Sequence, residues 1–309
     1  MHPYQATKRT ALITGANSGL GKAVATALAA EDARVGLVAR DRERGETALA
    51  DIRAATGNND LHLFVADLAD QSAIRALAQA VHRRFDRLHL LINNAGTAFP
   101  ARRLSPDGIE CAFAVNHLGP FLLTNLLLDL LRASAPARIV NVGTRISTAL
   151  DFEDLNWERR PYRMMQGYGQ SKLGNLHFTF ELARRLQGSG VTVNCVFPGV
   201  FKSNLGGTDG AQGALLKLFA RWGGWAIPSP ERAARRVLYL ANAPELATVS
   251  GQYFGDRKII PAPAQALDVE ANRRLWQISE ALTAPGPEPA PRERPSTGPA
   301  HDRPITTDR

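Results

Sequence analysis

Tyr168 and Lys172 stand four residues apart in Tyr168-Gly169-Gln170-Ser171-Lys172. On a helix, positions i and i+4 emerge on one face, one above the other. A phenol has an unperturbed pKa of about 10 and is a poor acid at neutral pH. A cation held beside it favours the phenolate and lowers that value. The pair therefore has the makings of a proton donor and acceptor for a substrate oxygen. Spacing alone does not distinguish it from an ordinary pair on a helix surface, since Tyr-x-x-x-Lys is short and common. The elements that hold the pair, and the other groups they bring to it, decide between the two.

The first such element lies near the N-terminus. Thr10 to Thr14 is a short apolar run, followed by Gly15-Ala16-Asn17-Ser18-Gly19-Leu20-Gly21 and an Ala-rich stretch from Lys22 to Ala30. This reads as strand, glycine turn and helix. Such a turn lets backbone N–H groups approach a pyrophosphate, whose charge also suits a helix N-terminus. The spacing is Gly-x3-Gly-x-Gly rather than Gly-x-Gly-x2-Gly. Ala33 to Ala39 reads as a second strand, followed by Arg40. An acid at that point suits the ribose 2′-hydroxyl of NAD, and a base suits the 2′-phosphate of NADP. Arg40 therefore favours NADP(H) over NAD(H); the plainer reading is a solvated surface arginine.

Strands and helices keep alternating. Asp41 to Ala55 is helical, and Leu61 to Ala66 is a strand ending at Asp67-Leu68. Gln71 to Phe85 is helical, and Leu88 to Ile92 is a strand ending at Asn93-Asn94-Ala95-Gly96. A long apolar helix runs from about Gly108 to Arg132, with Asn116, His117 and Pro120 inside it. His117 reads as structural, and some polar repair is expected beside Pro120, which removes a helix hydrogen bond. Arg138 to Val142 is a fifth strand, with Gly143-Thr144 at its exit and Ser147 and Thr148 beyond. A hydroxyl there can donate to a substrate carbonyl. A charged, aromatic stretch from Asp151 to Met165 shapes a rim. The helix of Tyr168 and Lys172 follows, to about Gln187, and then a sixth strand, Val191 to Phe197, ending at Pro198-Gly199. Pro230 to Ala241 is helical, Gly251 to Phe254 is a last short strand, and Asp268 to Leu282 is a terminal helix.

This alternation implies an α/β fold, a doubly wound and mostly parallel sheet of seven strands in one domain. Ligands bind such sheets at the carboxyl ends of the strands. Gly15, Arg40, Asp67 and Asn93 all fall at such ends and mark one edge. Residues 199–228 are rich in glycine and carry Leu215, Phe219 and Trp222 at helical spacing. A core-facing helix and a flap over an apolar substrate fit that stretch equally. From Pro285 to Arg309 the chain is Pro-rich with balanced charge, which reads as a disordered tail.

Composition narrows the function classes. Of 309 residues, 44% are hydrophobic, enough to build a core. The net charge of +8 raises nucleic acid as a partner, but Arg40-Asp41-Arg42-Glu43-Arg44 shows how the basic residues interleave with acids. Solvated faces and attraction for a phosphorylated cofactor explain the charge better. Cys111 and Cys195 belong to no metal-ligand cluster or CxxC pair and read as reduced packing residues. The longest apolar run, Leu118 to Leu131, is broken by Pro120, Thr124, Asn125 and Asp129. With a polar N-terminus, this predicts a cytoplasmic protein without membrane insertion.

Taken in order, Thr14-Gly15-Ala16-Asn17-Ser18-Gly19-Leu20-Gly21, Asn93-Asn94-Ala95-Gly96, Asn116, Tyr168-x-x-x-Lys172 and Pro198-Gly199 resemble the short-chain dehydrogenase/reductase family, over about Thr10 to Ala284. Val115-Asn116-His117-Leu118-Gly119-Pro120-Phe121, Gly251-Gln252-Tyr253-Phe254 and Leu275-Trp276-Gln277-Ile278-Ser279-Glu280 are similar to its retinol-dehydrogenase and WW-domain-oxidoreductase branch. The resemblance implies that Tyr168 is the general acid/base. Lys172 would hold the nicotinamide ribose and lower the Tyr168 pKa. Asn116 would carry a water linking Lys172 to solvent. It places the cofactor on Gly15, Asn17, Ser18, Gly19, Leu20 and Gly21, on Arg40, Asp67 and Leu68, and on Asn93, Ala95 and Gly96. Asn93 would lie against the adenosine. Pro198, Gly199, Val200 and Ser203 would meet the nicotinamide.

Thr144 stands where the family usually has Ser; its hydroxyl survives, but β-branching restricts its rotamers. Ser147 is the other candidate for orienting the substrate. The implied reaction is NADP(H)-dependent reduction of a carbonyl, or oxidation of the alcohol, on an apolar small molecule. Reduction of a carbon–carbon double bond, as in the similar protochlorophyllide reductase, and a non-catalytic NADP-binding module are the alternatives. The family also implies a homo-oligomer.

Overall fold

The computed structural model describes residues 8–145, 147–200 and 228–285. Ser203, most of the flap-like stretch and all of the tail beyond Pro285 lie outside the described residues. Eight strands form one sheet in the order β3-β2-β1-β4-β5-β6-β7-β8. They are β1 (Thr10–Thr14), β2 (Arg34–Ala39), β3 (Leu61–Val65), β4 (Leu90–Asn93), β5 (Ala137–Val142), β6 (Val191–Phe197), β7 (Tyr253–Gly255) and β8 (Lys258–Ile259). All neighbours from β3 to β7 pair parallel. The strand order reverses between β1 and β4, the place where an open α/β sheet leaves a crevice for a ligand.

β8 extends the seven-strand expectation by one short antiparallel strand. It returns through Asp256 and Arg257, both at positive φ (51° and 64°). This is the two-residue hairpin geometry that Asn-Gly or Asp-Gly usually announces. Asp-Arg carries no such announcement.

Strands buried on both faces read as unbroken apolar runs, and β1 is buried at every position. On one face pack α1 (Gly19–Ala30), α2 (Arg42–Thr56) and α8 (Pro230–Asn242), burying Val24, Leu28, Ile52 and Val237. On the other pack α3 (Gln71–Arg84), α5 (Gly119–Leu126) and α7 (Met164–Arg185), burying Ile74, Leu77, Phe121 and Phe178. Helix starts follow the side chains available. Asp41 accepts from the Arg44 N–H, and Asp70 from Ser72 and Ala73. Caps of this kind stabilise by about 1 kcal/mol each.

The expected long helix around Asn116 is interrupted. It opens as α4 (Cys111–Phe113), widens into a π turn (Ala114–Leu118), continues as α5 and ends in α6 (Leu128–Ala133). Glu110, fully buried, caps α4 by accepting from the Ala112 and Phe113 N–H groups. Such π turns gather at functional sites, and this one carries Asn116. His117 is structural as expected: its Nε2 meets the Ser279 hydroxyl at 2.8 Å. After α9 (Ala264–Leu267), the terminal α10 (Val269–Leu282) lays Trp276 against Phe121 and Phe178, with ring centroids 4.9 and 6.0 Å away. Cys111 and Cys195 are both free thiols and buried. Among the described residues, no helix is long and apolar enough to cross a membrane.

Candidate active site

A cleft of about 1480 Å³ opens along the carboxyl edge of the sheet. Its near end is the turn between β1 and α1. Gly15 and Gly19 hold positive φ there (66° and 52°), which glycine adopts without strain. A Cβ on Gly21 would fall 2.3 Å from the Gly15 carbonyl oxygen, so the turn closes only around a bare glycine. A Cβ on Gly19 would meet nothing within 4 Å. The turn therefore presents open space rather than packing. Ser18 starts α1 in an extended conformation without a side-chain cap, and the first turn holds no acid. Uncapped N–H groups and the positive end of the helix dipole suit a phosphate group. Thr14 and Asn94 brace this turn against β4: Asn94 Nδ2 donates to the Thr14 carbonyl at 2.8 Å, and the Ala95 N–H donates to Thr14 Oγ1 at 3.0 Å.

Asn17, Ser18, Leu20, Arg40, Asp67 and Leu68 line this cleft, as do Ala95, Gly96, Pro198, Gly199 and Val200. Asn93 does not. It is buried, and its amide donates to Asn141 at 2.8 Å and Thr124 at 3.1 Å. The cleft-facing residue is its neighbour Asn94. Asn93 ends β4 in register with Asn141 of β5, and its side chain projects from the sheet face that α5 covers, where Thr124 lies. The placement against an adenosine is thereby corrected.

At the far end, Tyr168 and Lys172 share one face of α7, as the spacing requires, and both line the cleft with Thr144. Lys172 Nζ donates to the Val142 carbonyl at 2.9 Å. Burial brings its pKa down to about 8, while the nearby Cys195 thiol holds it up slightly. Burial pushes the Tyr168 phenol up to about 12, against a hydrogen bond from Thr144 that favours the phenolate. The expectation that the adjacent ammonium acidifies the phenol is not met in the protein alone. The ammonium is directed to Val142, and burial is what dominates the phenol.

Asn116 is fully engaged beneath this pair. Its Oδ1 accepts from the Thr97 N–H at 2.8 Å, and its Nδ2 donates to the Thr97 carbonyl at 2.8 Å and to Ser171 Oγ at 2.9 Å. Ser171 in turn donates to the Tyr168 carbonyl at 2.8 Å. The side chain is thus a brace between the loop after β4 and the turn of α7 that carries the tyrosine. Ser171 stands inside the Tyr-x-x-x-Lys spacing, and helical spacing gives no sign of its partner across the fold. Ser147, exposed, lies just beyond the rim, and Thr144 is the hydroxyl that reaches Tyr168.

The residues present fit a dinucleotide: an open glycine turn at an uncapped helix start, a base after β2, and a phenol, a hydroxyl and an ammonium at the opposite end. The comparisons agree with that geometry. Residues 9–212 match the family model described as short chain dehydrogenase. The chain is 45% identical to human (Homo sapiens) retinol dehydrogenase 13 over 93% of its length and 88% of the relative's. Among solved structures, a protein from Mycobacterium paratuberculosis described as putative and uncharacterized superposes with a TM-score of 0.73 at 32% identity, covering 90% of this chain and 94% of that one. The Pseudomonas aeruginosa RhlG/NADP active-site complex superposes at 0.64 with 29% identity, covering 83% and 98%. The chain belongs to the short-chain dehydrogenase family and is an oxidoreductase that acts on CH–OH and C=O groups with a nicotinamide cofactor.

Proposed function

We propose that this protein interconverts an apolar carbonyl compound and its alcohol, with NADP(H) as cofactor and Tyr168 as the proton donor and acceptor. The observation that carries the reading is the hydrogen bond between Thr144 and Tyr168 at the end of the cleft opposite the glycine turn. In the reducing direction a bound NADPH supplies the hydride that adds to the carbonyl carbon. Thr144 donates a hydrogen bond to the carbonyl oxygen, and Tyr168 gives up the phenolic proton that completes the alcohol. Lys172 holds a positive charge behind the phenol and offers N–H donors toward the ribose. In oxidation Tyr168 takes the same proton back.

The preference for NADP(H) rests on the end of β2. Arg40 is exposed and lines the cleft. The acid that follows, Asp41, is occupied in capping α2 through the Arg44 N–H at 2.9 Å. A base is thus presented toward a 2′-phosphate, and the nearest carboxylate is committed elsewhere. The NADP held by the Pseudomonas aeruginosa neighbour supports the same preference. Apolar substrates are favoured by Phe99, Met165 and Phe197 on the cleft wall, and by the retinol in the human relative's name.

The test is nicotinamide absorbance with NADPH and NADH in parallel, across apolar aldehydes, ketones and alcohols. Turnover should be faster with NADPH and vanish in Tyr168→Phe, which should still bind cofactor. Equal or faster turnover with NADH removes the role given to Arg40. A reduced product that keeps its carbonyl moves the reaction to double-bond reduction.

A further inference from the structure

The ladder between β6 and β7 ends with Phe197 opposite Gly255. Beyond that pair the two strands part. Pro198 and Gly199 run along the cleft, while Asp256 enters the hairpin to β8. Pro198 is buried, and a carbonyl left there without a partner carries a free-energy penalty. Arg236 of α8 supplies the partner: its Nη1 donates to the Pro198 carbonyl at 2.7 Å. The same guanidinium donates from Nε to Asp256 Oδ1 at 3.1 Å. The two contacts are unequal. The Asp256 side chain is 85% exposed, where an ion pair contributes little, whereas the bond to Pro198 lies partly buried.

A second observation matches the guanidinium to this turn. Gly199 holds φ at 89°, in the left-handed region that glycine adopts freely. A Cβ there would fall 2.3 Å from Arg236 Nη1, so the arginine fills the space that a side chain at 199 would need. Pro198, Gly199 and Val200 line the cleft next to the β5 exit that carries Thr144, and Arg236 does not line it. A trans peptide points its carbonyl and the following N–H in opposite directions. With the Pro198 carbonyl drawn back to α8, the Gly199 N–H faces away from that helix. Arg236 therefore fixes, from behind, the plane of a peptide that borders the cleft.

We propose that Arg236 is a positioning residue for hydride transfer. It holds the Pro198–Gly199 peptide in the orientation that grips the nicotinamide ring, without touching the cofactor itself. This rests on the reading of the cleft as the NADP(H) site with its nicotinamide end at Pro198-Gly199.

The test separates the nicotinamide from the rest of the cofactor. NADPH and 2′-phospho-ADP-ribose, which lacks only the nicotinamide, are titrated calorimetrically into the full-length wild type, Arg236→Lys and Arg236→Met. The wild type should bind NADPH about tenfold more tightly than the fragment, the discrimination expected of one well-placed hydrogen bond. In Arg236→Met that ratio should fall toward one, while the fragment's own affinity stays within about twofold. Arg236→Lys still offers a single donor to the Pro198 carbonyl and should restore part of the ratio. In turnover, kcat of Arg236→Met should fall about tenfold, because a ring held loosely presents its hydride in the wrong geometry. A methyl in Gly199→Ala displaces the same guanidinium. NADPH binding by Gly199→Ala/Arg236→Met should therefore be no weaker than by Gly199→Ala alone.

An unchanged ratio in Arg236→Met overturns the proposal. So does an equal loss for both ligands, which makes Arg236 a residue of the fold alone, and so do losses that add in the double variant. A wild type that binds NADPH and the fragment alike takes the nicotinamide away from this turn, and the underlying reading fails before any variant is made. Absence of turnover with every carbonyl compound, alongside an Arg236-dependent ratio, would sink the Tyr168 reaction while leaving Arg236 in its role.

Discussion

The Tyr253 hydroxyl donates to the backbone carbonyl of Thr144 at 2.9 Å. Tyr253 is buried in β7, two strands from the β5 exit that carries Thr144, so the bond ties that exit to the far side of the sheet. Burial pushes the phenol far above its ordinary range, and it acts as a neutral donor at every working pH. Thr144 is β-branched and already restricted in χ1; fixing its backbone as well leaves its hydroxyl few places to point. Tyr253→Phe keeps the ring and removes only the donor. It leaves a carbonyl without its partner and should cost about 1–3 kcal/mol in a chemical denaturation midpoint. If the bond aims Thr144, kcat should fall by about tenfold or more while the cofactor KM stays within about twofold. A variant that loses stability but keeps its kcat would reduce Tyr253 to a packing residue.

Gly19 and Gly21 are two residues apart and should respond to alanine in opposite ways. A methyl on Gly21 would collide with the Gly15 carbonyl oxygen at 2.3 Å and Asn94 Nδ2 at 2.5 Å. Neither atom belongs to a flexible side-chain end free to retreat, because Asn94 is bonded to Thr14. Gly21→Ala should therefore lower thermal stability markedly, by about 3 kcal/mol, the upper end of the cost of overpacking. Gly19→Ala meets no neighbour and incurs only the left-handed φ, roughly 1–2 kcal/mol. Its methyl enters the space offered to phosphate. Melting should fall less than in Gly21→Ala, while calorimetric NADP affinity falls at least about tenfold, or about 1.4 kcal/mol. Undiminished NADP binding by Gly19→Ala would remove the phosphate role from this turn.

What the sequence made legible was mostly what local pattern decides. β1 stands out through the apolar Ala11-Leu12-Ile13 run ahead of Gly15, and β6 through Val191, Val193 and Cys195 at alternate positions ahead of Pro198-Gly199. Tyr168 and Lys172 are legible because helical geometry alone puts them on one face. Features that depend on distant partners were not. The Asn93 and Asn94 exchange turns on which face of the sheet the last residue of β4 takes, and there it meets Thr124 of the distant α5. Lys172 was legible as a neighbour, but not its engagement with Val142 or the burial that governs both pKa values. The Asp256-Arg257 turn hid β8, and no periodicity marks the π turn at Asn116. Nothing in the local sequence singles out Arg145, whose place over the ring of Phe197, fifty-two positions on, depends on the fold.

The depressed pKa of Lys172 has a consequence for stability. In the unfolded chain the ammonium titrates near 10.5, and in the folded protein near 8. Between those values the unfolded state binds the extra proton, so stability rises with pH across that window. Below about 8 both states are charged, and the cost of burying the ammonium is present in full. Lys172→Met removes the titration. The variant also loses the bond to Val142, which changes its stability by a constant amount but not by a pH-dependent one. Cys195 senses the same ammonium, so the comparison belongs in a Cys195→Ala background. Denaturation of the cofactor-free protein should show wild-type stability gaining on Lys172→Met from pH 8 to 10.5 and holding a fixed offset below. Parallel curves throughout that window would mean that the lysine is not desolvated.

Acid sensitivity should come from two histidines remote from the cleft. His177 of α7 and His117 of the π turn are both buried, and burial brings them down to about 4 and about 3. The Asn272 amide and the Asp268 carboxylate of the terminal segment pull His177 part of the way back, while His177 itself lowers His117. In the unfolded chain both accept a proton near 6.5. From there down to the folded values the unfolded state binds more protons, so stability is lost as pH falls. Each histidine contributes about 1.4 kcal/mol per pH unit in that window. Because His117 also meets Ser279, protonation acts where α10 docks on α7 and the π turn. His177→Leu removes one of the two titrations and relieves the other, so denaturation midpoints between pH 6.5 and 4 should fall with a visibly shallower slope than in the wild type. Tyr168→Phe, at the opposite end of the helix's buried face, should leave that slope untouched. An unchanged slope in His177→Leu would move the acid sensitivity to the carboxylates.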